Sequence, residues 1–72
     1  MTNPSLLKAL EKRYVAEIAE AVANIYVYEK NPVGIGEHPD LVAAIDSQVE
    51  RIAGAKDKLS ALYDYFPDIF GK

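Results

Sequence analysis

The sequence predicts an all-α fold, a long antiparallel two-helix hairpin that pairs with a second copy into a four-helix bundle. Three observations predict it. The prolines and glycines, Gly54 excepted, stand near the two ends or in one central stretch, "NPVGIGEHPDL" (Asn31 to Leu41). Between these breaks the apolar residues recur at steps of three and four, the spacing of one helical face. The chain has only 72 residues and no cysteine. A core of that size supplies about 3–5 kcal/mol, so with no disulfide to help, self-association is the device that remains.

The expected organisation is a single domain over residues 1–72, with helix 3–30, connection 31–38, helix 39–66 and tail 67–72. For the first helix, Asn3 is the expected N-cap, and Pro4 takes the first helical position, where its missing N–H costs nothing. Asn31, preceding Pro32, is driven out of the helical region and stops the helix. Leu7, Leu10, Tyr14, Ile18, Ala21, Ile25 and Tyr28 form the stripe, and several of its members lie eleven residues apart. That period keeps a helix nearly straight. Val15, Val22 and Tyr26 widen the stripe, Ala16, Ala19 and Ala23 extend it, and Arg13, Glu17, Glu20 and Asn24 form a narrow polar strip. The strongly apolar arc covers roughly 160°, against about 100° for a helix with one neighbour. More than one neighbour is expected.

The second helix opens with Pro39 and Asp40, a proline for the first turn and a carboxylate for the positive end of the macrodipole. Ile45, Ile52, Leu59 and Phe66 are seven apart, and Leu41, Ala55 and Leu62 alternate with them, with Gln48 the polar exception. Val42, Val49 and Tyr63 form the flank. Gly54 is a helix-interior glycine on the opposite face, either a tolerated surface residue or a place where another chain approaches closely, alongside Ala43 and Ala61. Pro67 ends the helix.

Two such helices, each about 40 Å long, fold back on one another through the short connection. The expected seam is Ile18, Ala21, Ile25, Ile45, Ile52, Leu59 and Leu62. Its flanks, Val15, Val22, Tyr26, Val49 and Tyr63, are expected to form the association surface of a homodimer, and Ile18, Ile25, Ile52, Leu59, Ile69 and Phe70 complete the expected interface set. In the tail, Ile69 and Phe70 follow the Pro67 break. They either fold back over the open end of the hairpin or dock on another protein, which makes a small adaptor or inhibitor of a host protein the alternative function.

Little in the sequence points to chemistry. The central stretch offers Gly34 and Gly36 before a helix start, but lacks the lysine and hydroxyl of a phosphate loop, and Glu37 and Asp40 repel an anion. It reads as a turn, with Val33 and Ile35 plugging the end of the bundle. His38 reads as a residue at the helix start. As a ligand in a metal- or ligand-binding bundle, a third reading, it needs donors from a partner chain. No cofactor is expected, and no enzyme. The formal net charge of −3 argues against nucleic acid. The tyrosines lack the interleaved Lys and Arg that base stacking requires, and Lys8, Lys12 and Arg13 form only a small basic cluster. With no apolar run near 18 residues, no membrane span is expected. The absence of an N-terminal export signal and of cysteine fits a soluble, cytoplasmic protein.

Residues 23–62, and "NPVGIGEHPDL" above all, resemble small uncharacterised proteins of marine T4-like bacteriophages, including cyanophages. The resemblance implies an accessory or virion-associated role in the host cell cytoplasm. It carries no assigned activity and no functional residues. The expected function is a non-enzymatic, self-associating interaction or assembly module.

Overall fold

A computed structural model describes residues 5–30 and 40–71. The expected cap at Asn3 and Pro4, the connection 31–38 with His38, and Pro39 lie outside the described residues. Helix α1 is Leu6–Lys30, α2 is Leu41–Tyr65 and a single turn, α3, is Pro67–Phe70. The protein is all-helical over these residues, and α1 and α2 pack along their length as a hairpin.

Helix α1 opens on Ser5, whose Oγ accepts a bond from the Lys8 amide at 3.3 Å and occupies one of the free donors of the first turn. Lys30 in the last turn complements the negative end of the helix. Asp40 precedes α2 without a side-chain capping bond. At the far end the Phe66 amide still donates to the Leu62 carbonyl, at 3.0 Å. The chain then bends at Phe66, with φ −130° and ψ 51°. Pro67 does break α2, but it also starts α3, where a proline at the first turn loses no hydrogen bond. Gly71, with φ 69°, adopts the left-handed conformation and returns its amide to the Pro67 carbonyl at 2.8 Å. A side chain there would be strained, so glycine closes the turn.

Cross-helix partners fix the direction. Glu11 meets Tyr63, Tyr14 meets Lys58, Glu17 meets Arg51 and Asn24 meets Gln48. The numbers rise on α1 as they fall on α2, so the helices are antiparallel. The side chains buried among the described residues are Ala21, Ala55 and Leu62, at 0%, 4% and 6% exposure. Two of these are alanines, because the helix backbones approach most closely where the side chain is smallest. Ile18, Ile25, Ile45, Ile52 and Leu59, expected to form the seam with them, are only half-buried.

Gly54 is exposed, and a Cβ built on it meets nothing within 4 Å. The hairpin neither crowds this position nor bends it to a positive φ. A glycine inside a helix costs about 1 kcal/mol relative to alanine, and nothing inside the hairpin offsets that cost.

The molecule is a single layer. Its extents are 50 × 24 × 14 Å and its radius of gyration is 16.0 Å, against about 11 Å for a compact chain of this length. Its accessible surface is 5581 Å². A compact protein of 7.9 kDa exposes about 4,400 Å².

Candidate association surface

The two broad sides of the hairpin differ in chemistry. At about 100° per residue, Val15, Val22 and Tyr26 lie roughly 100–140° around α1 from the buried Ala21. On α2, Val42 and Val49 lie roughly 120–140° around in the same sense from the buried Ala55. In an antiparallel pair, equal rotations away from the seam lead to the same side. All five are exposed, Val15 at 52%, Tyr26 at 64% and Val42 at 78%. Between them and the seam sit the half-buried Ile18, Ile25, Ile45 and Ile52. One broad side is therefore a nearly continuous apolar face over the middle and the loop-proximal half of the hairpin.

Opposite rotations bring Glu17, Asn24 and Arg51 together on the other side, where the cross-helix contacts are polar and the exposed apolar residues Leu6, Val27 and Tyr65 are scattered along the length. The Arg51 guanidinium donates through Nε to Glu17 at 3.1 Å, through Nη1 to the Gln48 amide oxygen at 2.9 Å, and through Nη2 to Glu20. Asn24 Nδ2 donates to the same Gln48 oxygen at 3.1 Å. No buried side-chain nitrogen or oxygen among the described residues is without a partner. The sequence marks Glu17, Glu20 and Asn24 as a polar strip; the structure turns part of that strip into a cross-helix network. Arg51 is the residue missed. Its role depends on α2 being aligned so that it meets Glu17 from a position 34 residues away, and spacing along one helix does not show that.

The network couples the hairpin to pH. The Arg51 bond, and then its charge, hold the Glu17 carboxyl below its ordinary value, while Arg51 is shifted upward. A carboxyl whose folded pKa is depressed stabilises the fold above its unfolded pKa, and that stability is lost as pH falls through the folded value. Melting temperature is therefore expected to fall as pH drops below the ordinary carboxyl value of 4.5 and on through the depressed folded one. The fall should be shallower in Arg51→Met. Parallel melting curves for the two proteins would refute the coupling.

At the open end the apolar face is closed by the chain itself. The Tyr63 hydroxyl donates to the Glu11 carboxylate at 2.7 Å, and Phe70 stands edge-on to the Tyr63 ring with centroids 5.4 Å apart. Ile69 and Phe70 are half-buried, and α3 touches both long helices. The tail is folded back on the hairpin, the first of the two arrangements open to it. The bond to Glu11, with burial and the Glu11 charge, raises the Tyr63 pKa. A phenol with a raised folded pKa stabilises the fold below its unfolded pKa, and that stability is lost as pH climbs through the folded value. Alkaline titration of phenolate absorbance should show a late component that disappears in Tyr63→Phe and moves to lower pH in Glu11→Gln. A titration unchanged by Glu11→Gln would exclude the bond as its cause.

The expected association residues therefore divide by position. Val15, Val22, Tyr26 and Val49 are exposed on the apolar face, with Ile18, Ile25 and Ile52 half-buried on the same side. Leu59 is half-buried at the seam. Tyr63, Ile69 and Phe70 are engaged within the chain at the open end. The sequence reading placed Val42 and Ile45 outside the association set, and the structure sets them beside Val49 on the apolar face. No group of His, Cys, Asp and Glu that could hold a metal occurs among the described residues, and no helix there is long and apolar enough to cross a membrane. His38 lies outside them. Compared with protein-family models, with curated proteins and with solved structures, the chain matches none.

Proposed function

We propose that this chain is a non-enzymatic self-associating module whose apolar broad side packs against the same side of a second copy, giving a four-helix bundle. The observation that supports the reading is the one-layer build. Domains bury their apolar surface between at least two layers, and here the 14 Å thickness is one layer of helices, with three buried side chains described. A second hairpin laid on the Val15–Val22–Val49 side supplies the missing layer. A two-fold pairing lets one patch serve both copies. The bundle would then offer its outer sides, each carrying the Arg51 network, to other components of an assembly.

The test is mass in solution together with the concentration dependence of melting. Sedimentation at micromolar concentration should give twice 7.9 kDa. The melting temperature should rise with protein concentration, because association stabilises the folded form by mass action. A monomer whose melting temperature does not depend on concentration would rule the reading out.

A further inference from the structure

The broad side opposite the apolar face holds an open groove of about 440 Å³ between α1 and α2, within the size range of small-molecule sites. Its floor and walls include Leu10, the Tyr14 ring, Gly54 and Ala55. Charges are distributed unevenly along it. At the open end stand Arg13 and Lys58; at the other end are Ser47 and Glu50; Glu17 and Arg51, already bonded to each other, lie between. Three cations face two carboxylates in a chain whose net charge is −3. Lys58 reaches across from α2 and sets its ammonium 5.4 Å from the centre of the Tyr14 ring. Neither Lys58 nor Arg13 forms an ion pair among the described residues, where Arg51 holds both recorded pairs.

Gly54 connects these observations. The hairpin has no need of a glycine there, since the backbone is helical and the space beside it is empty. What the missing side chain does is keep the middle of the groove open. The geometry points to a binding site for a small carboxylate with an apolar body. The body lies over Ala55 and Gly54, on the loop-proximal side of the two cations. The carboxylate meets Arg13, whose planar fork of donors matches two carboxylate oxygens, and the Lys58 ammonium. Glu50 at the far end enforces the orientation by repelling the acid group.

The probe is sodium octanoate, with octanol as the uncharged control, each titrated into the full chain and followed by amide NMR. Octanoate should move the Gly54 amide saturably at millimolar concentration, and octanol should move it far less. In the double variant Arg13→Gln, Lys58→Gln, octanoate binding should weaken roughly tenfold or more, as expected for loss of charge-assisted hydrogen bonds. Gly54→Leu should raise the melting temperature, because leucine is the better helix former, while abolishing the octanoate response. That opposite movement of stability and binding is not expected of a glycine that is merely tolerated. The site is overturned by octanol shifts equal to those of octanoate, by shifts centred on Val22 and Val49, by an unchanged response in either variant, or by no response at Gly54.

Discussion

Leu62→Ala is expected to remove most of the folding free energy of this protein. Leu62 is the only large side chain among the buried residues described. Truncating a buried leucine to alanine costs about 2–5 kcal/mol, through lost burial and the cavity left behind. A core of this size supplies about 3–5 kcal/mol in all, so the variant should be largely unfolded or melt far below the parent. At roughly 4–8 °C per kcal/mol for a small domain, the drop is about 8 °C or more. Circular dichroism against temperature measures it. Leu6→Ala is the control, because Leu6 is 88% exposed and surface substitutions stay within about 0.5 kcal/mol. Equal melting of the two variants would show that the seam is not what holds the hairpin.

The double substitution Val22→Glu, Val49→Glu is expected to leave the hairpin folded and dissociate the pair. Both residues are partly exposed in the single chain, at 37% and 48%, so a glutamate at either can reach water while the hairpin is alone. Face to face with a second copy, four carboxylates would be taken out of water without partners, and unpaired buried charge costs several kcal/mol. Sedimentation should return 7.9 kDa in place of twice that mass, with helical circular dichroism retained at low temperature. A variant that still sediments as a dimer would place the interface elsewhere.

These two variants separate what could be read from residue spacing from what could not. The end of α2 was legible because Pro67 acts through its own backbone geometry, which neighbours in space do not alter. The apolar stripes were legible for a similar reason, since the helical period is local. The order of burial along the stripe was not. The isoleucines and valines are the more hydrophobic, yet Ala21 and Ala55 lie deepest, because closest approach of two helices selects for small size. The same limit applies to the association surface. Val22 and Val49 could be placed beside the seam, whereas the pairing of Glu17 with Arg51, which sets a polar network on the opposite side, requires the alignment of one helix on the other. The tail lay between these cases. Pro67 at a first turn and Gly71 four residues later are start and stop signals, but four residues are too few to show a period.

The clasp at the open end also governs how the molecule bears force. Ser5 and Gly71 emerge at the same end of an antiparallel hairpin, so tension applied between them pulls the helices apart sideways. Load falls first on Phe70 against Tyr63, then on Tyr63 and Glu11. It passes to Lys58 and Tyr14, next to Arg51 and Glu17, and last to Asn24 and Gln48. The contacts break in series, like a zipper, and each rupture exposes only the next one to load. Pulled instead from Ser5 against Asp40, the helices must slide along each other and the cross-helix contacts share the load. Forced unfolding follows the barrier to opening, so this chain should be mechanically soft along one axis and resistant along another.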